Sequence, residues 1–205
     1  MRALLIAFAA SALAAAAFAA EVELAWDNGV PSYAANGPGI AGHTFANDFD
    51  VATLTATRLA VRKFRIYTAD VWPNGRWDGM YLELYDFRGG VPGWQIWPRS
   101  GSYVFFKPSG TGWSWYDYSL DFPLPADRFL AAADPAAAWP HCDPLMVDTN
   151  PTPRRHSWSY YGGQWVSLEG PYGYSNLMLR VVVETEASYP AVAPASWGRI
   201  KGLYY

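Results

Sequence analysis

Cysteine is scarce in this sequence, and so are the motifs of metal and nucleophile chemistry. The chain has one cysteine, Cys142, so no intramolecular disulfide can form. His43, His141 and His156 lie far apart, and no HExxH or CxxC spacing occurs, so a zinc site has no sequence support. A G-x-S-x-G elbow, the commonest esterase signature, is also missing. The sequence therefore predicts a protein that is not an enzyme and has no cofactor or metal.

Charge is sparse and balanced. Lys and Arg total 15 and Asp and Glu total 18, which gives a formal net charge of −3 at pH 7. Because no excess of positive charge is present, nucleic acid is not an expected partner. Aromatic residues make up 17% of the chain, and buried rings remove large apolar areas from water. We expect stability to come from packing of these rings rather than from covalent cross-links.

The first residues have the pattern of an export signal. MRALLIAFAASALAAAAFAA carries one Arg, then an apolar run, then Ala17-Phe18-Ala19, which fits the A-x-A rule of signal peptidase. The run is mostly Ala and falls short of the roughly 20 strongly apolar residues that a membrane span needs. We predict a cleaved signal peptide over residues 1–19, a secreted or cell-surface location, and no membrane span in the mature chain.

Short runs rich in Val, Ile, Tyr, Phe and Trp recur between clusters of Gly, Pro, Asn and Asp, without helical periodicity. The clearest strand is 176–184, where alternate residues from Leu177 to Val183 share one apolar face. Further predicted strands are 23–26, 59–69, 80–87, 94–97, 102–107, 113–120, 145–147 and 164–168. This pattern predicts an all-β fold, a two-sheet antiparallel β-sandwich of jelly-roll type, over residues 20–186.

One predicted strand does not alternate cleanly. Within 59–69, Val61 and Phe64 fall on opposite faces of a regular strand. An extra residue near Arg62 or Lys63 would return both side chains to the same face, so we predict a β-bulge there.

The glycines of YDFRGGVPGWQIW, residues 85–97, could hold a phosphate or turn the chain. A phosphate cradle requires a helix N-terminus after the glycines, and none is predicted. We therefore expect Gly89-Gly90 and Pro92-Gly93 to form consecutive turns, with the next strand starting at Trp94.

The segment from Ala131 to Arg155 is rich in proline and predicts a long surface excursion with one brief strand. Within it, Cys142 between His141 and Asp143 raises the hypothesis of a thiolate nucleophile. An unreactive or partly buried cysteine is the favoured interpretation, because catalytic partners usually meet in space from distant positions.

The chain ends in two compositionally distinct segments. Residues 187–196 are rich in Pro and Ala and uncharged, which predicts a stiff linker. Residues 197–205 form a tail that either docks onto the sandwich as a frayed end or serves as a recognition tag.

Several short motifs are distributed over nearly the whole mature chain. They are Asp27-Asn28-Gly29, Ala46-Asn47-Asp48-Phe49, Gly90-Val91-Pro92-Gly93, Leu145-Met146-Val147-Asp148 and Arg180 in the closing strand. Together they resemble a group of secreted bacterial jelly-roll-like β-sandwich domains, found alone or appended to larger surface and extracellular proteins. The resemblance implies a fold and an extracellular location but no reaction.

The C-terminal tail has its own resemblance. Trp197, Gly198, Ile200 and Lys201 match the form Trp-Gly-x-Ile-Lys. This form resembles C-terminal sequences on secreted proteins of some bacterial lineages, which implies a role in sorting or attachment.

The loop VWPNGRWDG, residues 71–79, is the strongest candidate for ligand binding. Flat aromatic faces stack on sugar rings, while amides and carboxylates bond hydroxyl groups. The same residues also suit a β-turn with Asn74-Gly75 at its corner. The candidate ligand-binding residues are Trp72, Asn74, Arg76, Trp77 and Asp78.

Acidic residues offer two further hypotheses. A glycosidase needs two carboxylates, which can come from any two strands and therefore form no local sequence motif. The candidates are Glu83, Asp86, Asp117 and Glu169. Glu83 lies on the face opposite Leu82 and Leu84, which predicts a solvated position. A calcium ion bound by Asp27, Asn28, Asp48 and Asp50 is the second hypothesis. Asx-turns explain the same four residues without a metal.

The sequence predicts a secreted, non-catalytic structural or adhesive β-sandwich module at the bacterial cell exterior. A carbohydrate-binding module that uses exposed Trp residues is the alternative, and a glycoside-active enzyme is a weaker one. The expected partner is an extracellular glycan or a cell-surface component.

Overall fold

A computed structural model of the chain describes residues 19–35, 42–54, 56, 58–71, 78–99, 102–138, 140–149, 155–168 and 176–186. Within these residues the chain forms fourteen strands and no helix. The strands are β1 (Ala20–Leu24), β2 (Tyr33–Ala35), β3 (Thr44–Asp50), β4 (Arg58–Thr68), β5 (Met80–Arg88), β6 (Val91–Trp97), β7 (Phe105–Phe106), β8 (Ser114–Pro123), β9 (Arg128–Pro135), β10 (Leu145–Asp148), β11 (Ser157–Tyr161), β12 (Gln164–Ser167), β13 (Asn176–Leu177) and β14 (Leu179–Glu186).

The strands form antiparallel sheets on two sides of one core. The four-stranded sheet has the order β1-β14-β4-β8, and the seven-stranded sheet has the order β12-β11-β3-β9-β5-β6, with β7 also paired to β5. A three-stranded sheet, β13-β10-β2, adjoins the first, since Met178 alone separates β13 from β14. This architecture confirms the predicted all-β sandwich. In the described part of the chain no helix is long and apolar enough to cross a bilayer.

The core lies between the sheets and follows from strand alternation. Leu179, Val181 and Val183 of β14 are fully buried, which confirms the face predicted for 176–184. Large side chains of the seven-stranded sheet complete the same apolar cluster. They include Phe45, Phe49, Leu82, Leu84 and Phe129.

The predicted bulge in β4 is present. Val61 and Lys63 pair with the consecutive residues Val183 and Val182 of β14, so Arg62 is the extra residue. Val61 and Phe64 are therefore both buried in the core. The displaced Arg62 donates two hydrogen bonds to Glu184, at 2.9 and 2.8 Å. The bulge keeps the apolar residues inside and directs the guanidinium to an ion pair.

The predicted surface excursion is wrong at its start. Ala131, Ala132 and Ala133 lie in β9, which pairs with β3 on one side and β5 on the other, and none is more than 1% exposed. Alanine has a low β-propensity and here fits a strand covered on both faces by larger neighbours. The brief strand expected at 145–147 is confirmed as β10.

A buried amide joins the two sides of the sandwich. Asn47 of β3 is fully buried, and its Nδ2 donates to the carbonyls of Leu177 and Leu179, at 2.9 and 2.8 Å. Its Oδ1 accepts a 2.7 Å hydrogen bond from the Ser157 hydroxyl. These contacts satisfy backbone carbonyls where β13 passes into β14.

The Asn47→Asp variant should be strongly destabilised. The substitution keeps the shape but aims a second acceptor at two buried carbonyl oxygens, and each buried group left unsatisfied costs roughly 1–3 kcal/mol. We expect the free energy of unfolding to fall by at least about 3 kcal/mol in urea titrations. Gln164→Glu, the same chemical change at an exposed strand end, should change it by less than about 0.5 kcal/mol. Equal effects in the two variants would contradict this role for Asn47.

Candidate functional site

The outer faces of the two main sheets differ in chemistry. On the four-stranded sheet, Arg65 bonds Glu23 at 2.5 Å and Asp117 at 3.0 Å. Arg180 bonds Glu23 at 2.7 Å and also pairs with Asp27. On this outer face, the ion pairs lie beside the rings of Tyr67, Trp113 and Trp115. On the outer face of the seven-stranded sheet, rings pack over small residues at its centre.

Small residues occupy the centre of the seven-stranded sheet on its outer face. Ala46 of β3 pairs directly with Ala132 of β9, and both are fully buried. Bulky rings from strands on either side pack over them. The rings of Tyr85 on β5 and Trp165 on β12 meet at a centroid distance of 5.3 Å. Strands from opposite halves of the sheet thus approach each other above the alanines, so the sheet is strongly curled.

The curled sheet leaves an open groove of about 580 Å³, which lies within the usual range of small-ligand sites. Strands β5 and β6 form one side, and the β11–β12 hairpin forms the other. The lining residues are Tyr85, Gly93, Trp94, Gln95, Tyr160, Gly163 and Trp165. Trp94 is 85% exposed and lies in a contiguous aromatic patch, a feature that is frequent at interaction surfaces of proteins.

Other cavities among the described residues are less suited to recognition. One of about 90 Å³ is lined by the Arg62, Asp121 and Glu184 ion pairs and their neighbours. Another of about 240 Å³ contains no aromatic ring. Of these three cavities, the aromatic groove is therefore the best candidate site.

A bulge in β6 aims Trp94 at solvent. Gln95 pairs with Tyr85 and Pro92 pairs with Phe87, so Gly93 and Trp94 together face the single residue Asp86. The Trp94 amide donates to Asp86 Oδ1 at 2.5 Å. A Cβ on Gly93 would lie 2.1 Å from the same oxygen, so any larger residue there would displace the Asp86 carboxylate. Bulges commonly re-aim a side chain in this way.

Residues 85–97 contain one of the two predicted turns. Gly89 and Gly90 form the predicted turn, with φ angles of 62° and 84°, as a two-residue hairpin requires. Pro92-Gly93 was predicted as a second turn, which is wrong, because both residues lie in β6, which begins at Val91. The hydrogen bonds of Asp86 hold this bulge within the sheet.

Two carboxyl groups lie on the groove side of β5 and β9. Glu83 accepts from the Tyr85 hydroxyl at 2.5 Å and from Gln95 Nε2 at 3.4 Å. Burial raises the pKa of Glu83, although the Tyr85 hydrogen bond opposes that shift. Burial, together with the charge of Glu83, raises the pKa of Asp134 to about 6. Glu83 lies on the predicted face but is half-buried rather than solvated.

A buried charge network supports the wall behind the groove. Asp48 is fully buried and accepts from Trp158 Nε1 at 2.7 Å, His156 Nδ1 at 2.7 Å and an Arg128 nitrogen at 3.0 Å. Burial alone raises the pKa of Asp48, but these hydrogen bonds outweigh it and lower the pKa. The Arg128 guanidinium also lies 4.0 Å from the centroid of the Phe87 ring. The network fixes the orientation of the Trp158 and Phe87 rings.

Most residues of the predicted ligand loop lie outside the described residues: Trp72, Asn74, Arg76 and Trp77. Asp78 is described and buried, and its carboxylate accepts from Lys107 at 2.5 Å. The tail residues Trp197, Gly198, Ile200 and Lys201 also lie outside, as do residues 1–18 and the linker 187–196. These predictions stay predictions.

The other candidate groups have structural roles where they are described. Asx-turns are confirmed, since Asp27, Asn28 and Asp50 each accept from a backbone amide two residues on, at 2.8–2.9 Å. Cys142 is 4% exposed, which favours the interpretation as a buried structural cysteine.

Removal of the Asp134 charge should stabilise the protein at neutral pH. The folded pKa of about 6 exceeds the ordinary value of about 4. Protonation of Asp134 therefore favours folding fully below pH ~4, and this contribution disappears as the pH rises through about 6. Asp134→Asn should raise the melting temperature at pH 7.5 more than at pH 4, as measured by thermal melts.

The exposed variant Asp127→Asn is the matched control for the loss of one negative charge, and it should raise the melting temperature at pH 7.5 by less than Asp134→Asn does. If the difference between wild type and Asp134→Asn were the same at both pH values, the electrostatic account of the groove would be wrong.

Comparison with known proteins adds a distant structural likeness. No protein-family profile matches the chain, and no curated protein does. One solved structure, of the cysteine protease and lectin-like domains of Cwp84, a surface layer associated protein of Clostridium difficile, matches at 15% identity with a TM-score of 0.45. The match covers 72% of this chain and 33% of that one. A likeness this distant assigns neither an activity nor a ligand.

Proposed function

We propose that this chain acts outside the cell as a non-catalytic β-sandwich module that binds carbohydrate in the aromatic groove. The observation that carries the proposal is the 85% exposure of Trp94 beside Trp165 and Tyr160 in one cavity. Exposed rings of this kind stack on the apolar faces of sugars and have a low conformational entropy cost. The predicted export signal supports an extracellular setting.

Polar groups in and beside the groove provide recognition of hydroxyl groups. Gln95 and Tyr85 line the cavity and also hydrogen bond to Glu83. A sugar hydroxyl can take the place of Glu83 as the hydrogen-bond partner of Gln95 or Tyr85. The described lining contains no Lys or Arg, and the carboxyl groups of Glu83 and Asp134 lie on the same side of the sheet. The groove therefore suits neutral or amino sugars better than uronic or sulfated ones.

A glycoside-active enzyme is the second candidate, favoured by one observation. Glu83 pairs with Ala132, two residues before Asp134 on β9, so the two carboxyl groups are diagonal neighbours on one face. Both have raised pKa values, which suits the proton donor of a glycosidase. A purely structural or adhesive module without glycan affinity is the remaining alternative.

Binding of the mature domain to a glycan array and to insoluble polysaccharides tests the proposal. Trp94→Ala and Trp165→Ala should each weaken binding by at least about tenfold, because truncation of a Trp anchor at a binding surface typically costs about 2 kcal/mol or more. Trp113→Ala is the matched control: Trp113 is 43% exposed and stacks on Tyr67 of the four-stranded sheet. The affinity of this variant for the glycan should stay unchanged.

Each other outcome selects an alternative. Loss of binding only in the Trp72→Ala/Trp77→Ala pair would place the site in the predicted loop instead of the groove. Release of reducing ends that disappears in Glu83→Gln would indicate the glycoside-active enzyme. Absence of any glycan signal at high ligand concentration would leave the structural or adhesive module and overturn the proposal.

A further inference from the structure

Three buried aspartates converge at one end of the sandwich, and none of them lines the groove. Asp70 follows β4 by two residues, while Asp78 and Asp143 precede β5 and β10 by two residues each. They are 6%, 2% and 0% exposed. The Asp143 amide donates to the Asp78 carbonyl at 3.0 Å, and the Val71 amide donates to Asp143 Oδ1 at 3.1 Å. Backbone contacts therefore hold three separate segments in place around the carboxylates.

Among the described residues, Lys107 is the cation that contacts the cluster. Lys107 Nζ lies 2.5 Å from Asp78 Oδ1 and 3.5 Å from Asp70 Oδ2. Within the described part of the chain, three carboxylates thus face one ammonium group. Burial, followed by the charges of Asp70 and Asp78, raises the pKa of Asp143 to about 7.

Two carboxylate oxygens of the cluster are buried without a hydrogen-bond donor in the described part of the chain. Among the described residues, Asp78 Oδ2 and Asp143 Oδ2 are fully enclosed and have no hydrogen-bond partner. Buried carboxylate oxygens are costly unless a donor or a cation satisfies them. Because both belong to the same cluster, a single bound cation can satisfy both.

We propose that Asp70, Asp78 and Asp143 form a calcium-binding site. One carboxylate oxygen from each residue lies within 4.8 Å of the other two. Calcium binds oxygen at 2.3–2.6 Å, so two ligands on opposite sides of the ion lie up to about 5 Å apart. This spacing accommodates one ion among three monodentate carboxylates. Calcium takes six to eight oxygen ligands, and backbone carbonyls or waters complete such a set.

Lys107 competes with the ion for two of the three carboxylates, Asp70 and Asp78. Its side chain is 26% exposed, so the ammonium can swing into water when calcium enters. Two of the ligands, Asp70 and Asp78, bracket residues 72–77 in the sequence, and Asp143 leads into β10. The ion therefore ties both ends of this loop to a strand of the three-stranded sheet.

Thermal melts and terbium luminescence on the EDTA-treated full chain test the proposal. Calcium at about one hundred times its Kd should raise the melting temperature by about 5 °C. Terbium should bind with luminescence sensitised by nearby aromatic rings, and calcium should displace it. Asp143→Asn should abolish both effects, whereas the exposed control Asp50→Asn should keep both.

Lys107→Gln keeps the proposal testable if the aspartate variant fails to fold. Removal of the competing ammonium leaves all three carboxylates available, so this variant should bind calcium at least about tenfold more tightly than the wild type. Absence of a calcium-dependent shift and of terbium binding in both the wild type and Lys107→Gln would overturn the site. An equal calcium shift in Asp143→Asn and wild type would also overturn it.

Discussion

Curvature of the seven-stranded sheet is the constraint on which the rest of the structure depends. One face of this sheet packs on the sandwich core, yet its central strands are buried on both faces. Ala46 and Ala132 meet at the middle of the outer face. Because these side chains are small, rings from either side can reach over them, as the Tyr85–Trp165 contact shows. The same curvature brings β6 and the β11–β12 hairpin to opposite sides of one groove.

Strand β3 connects the groove to the core. Successive residues of this strand face opposite sides of the sheet, so Asn47 joins the two sides of the sandwich while Asp48 bonds the Trp158 ring on the outer face. The groove wall is thereby held by buried hydrogen bonds rather than by flexible surface contacts. Preorganisation of this kind reduces the entropy lost on binding. The raised pKa values of Glu83 and Asp134 show that the groove keeps carboxyl groups at a cost in stability.

The sequence was informative where local pattern decides structure. Alternation in 176–184 predicted the buried face of β14, and the irregular spacing of Val61 and Phe64 predicted the bulge at Arg62. It was misleading for β9, whose alanines lack the bulk and branching typical of strands. Strand β3 was also missed as a strand, because its TFANDFD sequence mixes polar and apolar residues, all but the last buried.

The groove was not predictable from local pattern. Its rings come from two hairpins, β5–β6 and β11–β12, which are distant in sequence and become neighbours only through strand order and curvature. The same holds for the three aspartates: Asp70 and Asp78 stand at opposite ends of the connection between β4 and β5, and Asp143 precedes β10. Sequence reasoning chose the Trp-rich loop at 71–79 because its residues are adjacent along the chain. The proposed calcium site would give that loop anchored ends.

Nuclear Overhauser contacts in the mature domain test the curled sheet most directly. The account predicts cross-peaks between the Tyr85 ring protons and the Trp165 indole protons, whose ring centroids are 5.3 Å apart. Contacts between the core rings Phe49 and Phe129, at 5.8 Å, serve as the internal reference. If the core contacts were present and the Tyr85–Trp165 contacts absent, the sheet would be open, and the aromatic groove would not exist as a single site.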